Sequence, residues 1–253
     1  MTCDELQKSH VTRHLSPCHL IKMKRNDIIV IAVTALLLLL FFVSETVYNF
    51  YVDYNASHGM IMSFIKFAIL ATFGEAIGLR IRTGNYNQKG FGLIPRAIVW
   101  GFLGLTIKLA FVIFSKGIPE FIAYMGIKDA PVIMKESLSL SKVLVAFSIS
   151  AAMNIIYAPV MMTLHKVTDT HIANNGGTIL GLLKPIKFGE ILSTINWKVQ
   201  WSFVFAKTIP FFWIPAHTLT FLLPADFQVL FAAVLGIALG VLLAIASLKG
   251  SGK

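Results

Sequence analysis

The sequence predicts an all-α integral membrane protein, a bundle of about six transmembrane helices. Hydrophobic residues make up 56% of the 253-residue chain and charged residues only 13%, against about 25% charged in ordinary soluble domains. Apolar runs of membrane-spanning length recur along the chain. Connections on the side of the two termini hold fifteen Lys and Arg residues, and the other connections hold four. This positive-inside bias predicts that both termini are cytoplasmic.

The chain divides into a polar N-terminal tail, residues 1–27, and a single transmembrane bundle domain, residues 28–253. The tail contains His10, His14 and Cys18 at a spacing that would align zinc ligands on one helical face. Pro17 opposes a continuous helix there, and a disordered tail is the favoured interpretation. A further hypothesis is that residues 1–22 are upstream sequence, because Met23 directly precedes a basic segment and an apolar run.

Six apolar stretches are predicted to span the membrane, and the count falls to five if the first is not a full span. A basic loop follows the second, and a mixed segment at 116–141 follows the third. A short amphipathic helix, in which Phe188 and Ile191 recur at helical spacing, is expected on the membrane surface before the fifth. The predicted spans are 28–43, 61–79, 97–115, 143–164, 196–226 and 228–246.

Prolines mark helix breaks in the fourth and fifth spans. A proline inside a helix removes a backbone hydrogen bond and clashes with the carbonyl four residues back. Pro210 and Pro215 therefore predict a broken or kinked fifth helix, and Pro159 a break in the fourth. Such breaks persist in membranes where protein or water satisfies the exposed backbone. The alternative interpretation is a kinked, packed helix with Lys207 reaching the nearer interface.

Polar residues inside the spans are the candidate site. They are predicted to form a solute pathway or an intramembrane polar network, because buried ionisable groups in membranes usually face a partner or a wet cavity. Glu75 is expected to contact Lys207 or Lys108, with the alternative that it reaches the surface beside Arg80. The set comprises Glu75, Lys108, Asn154, Lys207 and His217.

Two pairs of glycines suggest helix contacts. Gly74/Gly78 and Gly236/Gly240 both have the GxxxG spacing that permits close helix approach. These faces are predicted to support a homo-oligomer, with the lipid bilayer as the surrounding partner. The net charge of +10 is explained by membrane topology, so no nucleic-acid partner is expected.

Short motifs resemble the Mpv-seventeen/22-kDa peroxisomal membrane protein family over residues 61–247. The resemblance is one of order and spacing, and exact identity departs at several positions, including Glu75 in place of Asp and Gln228 in place of Arg. It implies a compact helical bundle, channel-like or of unsettled role, without a known substrate or catalytic mechanism. The matching segments are Gly74-Glu75, Arg96 with Gly101 and Gly104, Asn154 with Ala158-Pro159, 196–199, 213–217 and 220–228.

The predicted function is a channel or small-solute permeation protein, with an anionic metabolite or ion favoured because three lysines lie within the spans. The alternative is a membrane scaffold or assembly protein that transports nothing. Enzymatic activity is not expected, since HExxH, GxSxG and glycine-rich phosphate motifs are absent. No cofactor or metal is predicted. The charge bias favours a bacterial inner membrane, and the resemblance allows a mitochondrial or peroxisomal one.

Overall fold

The computed structural model describes residues 23–250, with side chains left undescribed at 243 and 245–250. The described chain is helical and contains no strand. Residues 1–22, with the zinc-ligand and upstream-sequence hypotheses, lie outside the described residues. The elements are α1 (Arg25–Val43), α2 (Glu45–Ser57), α3 (Gly59–Thr83), α4 (Leu93–Tyr124), α5 (Ala130–Ile133), α6 (Leu140–Ile156), α7 (Ala158–Asn174), α8 (Ile179–Leu182), α9 (Phe188–Thr194), α10 (Trp197–Val199), the π-helix π1 (Gln200–Trp213), α11 (Ile214–Leu222) and α12 (Ala225–Gly250).

Four helices in the described chain are long and apolar enough to cross a membrane, and five if one bent pair counts as a span. The four are α1, α3, α4 and α12, and the pair is α6 with α7. The all-helical prediction is therefore confirmed for the described residues, and length and composition mark four to five candidate spans among them. The fifth predicted stretch, 196–226, is not among these helices, because it is divided into the α-helices α10 and α11 and the π-helix π1 between them.

Prolines act differently at the two predicted break points. Pro159 begins α7, and the axes of α6 and α7 differ by 44°, as expected where a proline interrupts the hydrogen-bond ladder. Pro210 lies inside π1, which runs directly into α11 without a break. A π-helix bonds each N–H to the carbonyl five residues back, so a missing donor at Pro210 affects Phe205 rather than Ala206. Pro215 lies in the first turn of α11, where proline is tolerated.

Several helices extend beyond their predicted ends. The third span continues as α4 to Tyr124, so this helix includes the first part of the mixed segment at 116–141. α1 begins at Arg25, before the predicted boundary between tail and bundle. α7 continues to Asn174, ten residues past the predicted end of the fourth span at Leu164. This last extension matters most, because it places His165 and Asp169 on the same helix as Pro159.

α3 is the central helix, packed between α4 and α12. A Cβ added to Gly74 would lie 2.9 Å from Ile237 Cα, and one added to Gly104 would lie 2.8 Å from the carbonyl oxygen of Ser63. Both glycines therefore allow backbones to approach closely. Gly78 likewise faces Gly240 across this contact. Gly74, Gly78 and Gly240 are thus used within the chain, whereas Gly236 has open space around it, and a homo-oligomer stays a prediction.

The described core joins α3, α4, α6, α11 and α12 around one buried apolar cluster. Its members include Phe67, Ile107, Phe111, Ile149 and Phe221. α9 forms as predicted and packs Ile191 against Val167 of α7. α1, in contrast, has none of its apolar window buried. Near its start, Asp27 accepts a hydrogen bond from Arg80 of α3.

Candidate functional site

Glu75 lies at the centre of a partly buried polar cluster built from α3, α4 and α7. Its Oε2 accepts a hydrogen bond of 2.6 Å from Arg96 Nη1. Its Oε1 accepts from Trp100 Nε1 at 3.0 Å and lies 2.9 Å from His165 Nε2. Because a carboxylate only accepts, His165 Nε2 is the donor in this pair. Three side chains from two other helices therefore converge on one carboxylate.

Arg96 also connects α4 to a second carboxylate on α7. Its Nη1 lies 2.5 Å from Asp169 Oδ1, and its Nε donates to the Phe91 carbonyl at 2.8 Å. The guanidinium carbon stands 4.5 Å from the centre of the Phe91 ring. The extended α7 makes this possible, because residues four apart, His165 and Asp169, share one helix face. The bend between α6 and α7 sets the direction in which that face points.

The charges of this cluster nearly balance. One guanidinium and one imidazole face two carboxylates, and the Arg96 side chain is only 11% exposed. Buried charges of this kind are tolerated when paired and hydrogen-bonded. Glu75, His165 and Asp169 also bring potential metal-ligand atoms within 4.8 Å of one another. Arg96 Nη1 already contacts both carboxylates, however, so its guanidinium occupies the position that a cation would need.

The predicted partners of Glu75 are wrong. Among the described residues its ion pairs are with Arg96 and His165, and neither Lys207 nor Lys108 forms an ion pair with it. The alternative was a surface position beside Arg80, and the Arg80 side chain forms an ion pair with Asp27 of α1 at 2.5 Å. Glu75 is instead satisfied inside the bundle.

A cavity of about 340 Å³ lies between the helices. Glu75 and His165 form part of its wall. This volume falls at the lower end of the range for small-molecule sites. Aromatic and aliphatic side chains form most of the wall. The other polar lining residues are Asn154, Tyr157, Lys166, Gln200, Thr208, Trp213 and His217.

Asn154 and His217 form a second buried pair in the cavity wall. Asn154 Nδ2 donates to the Ser150 carbonyl at 2.8 Å and lies 3.3 Å from Ser150 Oγ. Asn154 Oδ1 then accepts from His217 Nδ1 at 3.1 Å. We assign the amide orientation and the tautomer so that both groups of the Asn154 amide are paired, since Nδ2 is also 3.0 Å from Nδ1. His217 Nε2 is left as an acceptor without a hydrogen bond to any described residue.

The three predicted pathway residues Glu75, Asn154 and His217 thus share one cavity, whereas the two lysines do not line it. Lys207 is exposed on π1. Lys108 is half-buried beside Gly59, at the start of α3. The lysine-based argument for an anionic solute therefore has no support in the cavity wall.

Four members of the Glu75 cluster were missed by reasoning from the sequence: Arg96, Trp100, His165 and Asp169. Arg96 was assigned to a loop, and the two α7 residues lay past the predicted end of the fourth span. The four-residue spacing of His165 and Asp169 was a usable signal, because it places an imidazole and a carboxylate on one helix face.

Comparison with protein-family models, with curated proteins and with solved structures found no match. The resemblance to the Mpv-seventeen family accordingly stays a prediction that rests on its motif residues.

Proposed function

We propose that this chain is a multi-pass membrane protein that admits a small solute to the cavity between α3, α4, α7, π1 and α12 and lets it cross the bilayer. The observation that carries the proposal is the convergence of Glu75, Asn154, His165 and His217 on one cavity. Hydrogen-bonding groups inside an apolar bundle are costly, and in membrane proteins they commonly mark solute pathways.

Six spans are proposed, with the segment from α10 through α11 as the fifth. Trp197 to Leu222 is continuously helical over α10, π1 and α11, which is long enough to cross a hydrocarbon core. With this segment counted, the fifteen-to-four bias of Lys and Arg supports cytoplasmic termini. The distribution suits a bacterial inner membrane, with a mitochondrial or peroxisomal membrane as the alternative that the family resemblance supports.

The proposed solute is small, polar and uncharged, such as a polyol or an amide. The largely apolar wall would leave a dehydrated ion without compensation. The carboxylates at Glu75 are already paired with Arg96 and His165, and the lysine on the wall, Lys166, is exposed. Neutral solutes can exchange hydrogen bonds with His217 Nε2 and its polar neighbours.

The test fills the cavity without disturbing the helix packing. A Cβ on Gly236 would meet no atom within 4 Å, although Gly236 lines the cavity. Gly236→Leu should therefore occupy cavity space and reduce glycerol and urea permeability of proteoliposomes toward the protein-free value, measured by stopped-flow light scattering. Gly117→Leu is the matched control, because Gly117 is also helical and open but lies outside the cavity. Permeability unchanged in Gly236→Leu, or wild-type permeability equal to protein-free liposomes, would contradict the proposal.

A non-transporting scaffold is the second candidate, and α1 is the observation that favours it. None of its apolar window is buried within the described bundle. Its exposed leucines could be covered by another membrane protein as well as by lipid. Folded protein that produces no glycerol or urea flux would favour this second function.

A further inference from the structure

A second polar cluster lies near the start of α3, away from Glu75. Lys66 is 5% exposed, and its Nζ donates to Asn55 Oδ1 of α2 at 2.5 Å. The same Nζ stands 4.8 Å from the centre of the Tyr51 ring. Its nearest described partners are thus a neutral amide and an aromatic face, and it makes no ion pair within the described chain.

Lys108 of α4 adds a second positive charge to this cluster. Its Nζ lies 4.0 Å from the position of a Cβ on Gly59, and its charge acts on Lys66. Asp226 is the opposing acid, and its Oδ1 accepts from Asn55 Nδ2 at 3.0 Å. The buried Lys66 makes no ion pair among the described residues, and its charged neighbours are a second lysine and one acid, which is an excess of one basic group.

An uncompensated charge in this setting is expensive. Burial of an ammonium in an apolar bundle costs several kcal/mol unless an opposite charge is near. Lysine is also a common ligand of phosphate groups. We propose that Lys66 and Lys108 bind an anionic phosphate group, carried by a phospholipid headgroup or present as inorganic phosphate. This site is independent of the proposed solute pathway, because neither lysine lines the central cavity.

The experiment measures thermal unfolding of the full chain in a neutral detergent, with phosphatidylglycerol or inorganic phosphate as the probe. Diacylglycerol, which lacks phosphate, controls for the acyl chains, and chloride at equal ionic strength controls for salt. The variants are Lys66→Met and Lys108→Met. Lys207→Met is the matched control, since Lys207 is an exposed lysine on an apolar helix.

We expect one of the two probes to raise the Tm of wild type by about 3 °C or more, as specific binding to the folded state does. The rise should persist in Lys207→Met and disappear in Lys66→Met and Lys108→Met. A response to phosphatidylglycerol alone identifies a lipid site, and a response to inorganic phosphate identifies a free-anion site. If Lys66→Met fails to fold, the proposal is tested by the loss of the Tm rise in Lys108→Met, because Lys108 is only half-buried. No rise with either probe, or an equal rise in all variants, would overturn the proposal.

Discussion

Arg96 is the residue on which the charged cluster depends. It holds one carboxylate from α3 and one from α7, and removing it would leave His165 as their only ion-pair partner among the described residues. The sequence identified Glu75 as a residue that needs a partner, because it is an acid within an apolar run. It could not identify that partner, since the choice among Arg96, Lys108 and Lys207 depends on how each helix is rotated about its axis.

We predict that Arg96→Met lowers the free energy of unfolding by about 3 kcal/mol, because two partly buried carboxylates lose their shared guanidinium and keep only His165 as a partner. The measurement is denaturant unfolding in detergent. The control is Lys187→Met, which breaks a pair whose side chains are 71% and 70% exposed and should cost about 1 kcal/mol or less. Equal destabilisation by the two substitutions would show that the Arg96 pairs contribute no more than a surface contact.

At the scale of elements, apolar runs predicted which segments are helices, and glycine spacing predicted which helix faces permit close approach. They did not predict the π-helical winding of Gln200–Trp213, nor the continuation of α7 to Asn174. Both depend on contacts with other helices and not on local composition. The Gly74 and Gly240 faces illustrate the same limit, because the spacing shows that a helix can approach but not which helix does.

Gly74→Ala tests the contact between α3 and α12. The added methyl would lie 2.9 Å from Ile237 Cα, so the helices must separate, and we expect a loss of about 1–3 kcal/mol in the free energy of unfolding. Gly236→Ala on α12 has open space, and its higher helix propensity should leave stability equal or slightly increased. Denaturant unfolding in detergent measures both. If Gly74→Ala proves as stable as Gly236→Ala, the close approach at Gly74 is absent.

At the scale of the whole molecule, the central claim is that the cavity between the helices is the solute path. Met161 lines this cavity, whereas its neighbour Val160 is 67% exposed and lies outside it. A cysteine at either position in a Cys3→Ser, Cys18→Ser background can be modified by a small methanethiosulfonate reagent. The two sites differ in whether the added group occupies the cavity.

The most direct measurement is therefore glycerol permeability of proteoliposomes before and after this modification. Modification of Met161→Cys should reduce permeability toward the protein-free value, because the attached group fills the cavity. Modification of Val160→Cys should leave permeability unchanged. Permeability that is unaffected in Met161→Cys after labelling is verified by mass spectrometry would contradict the account.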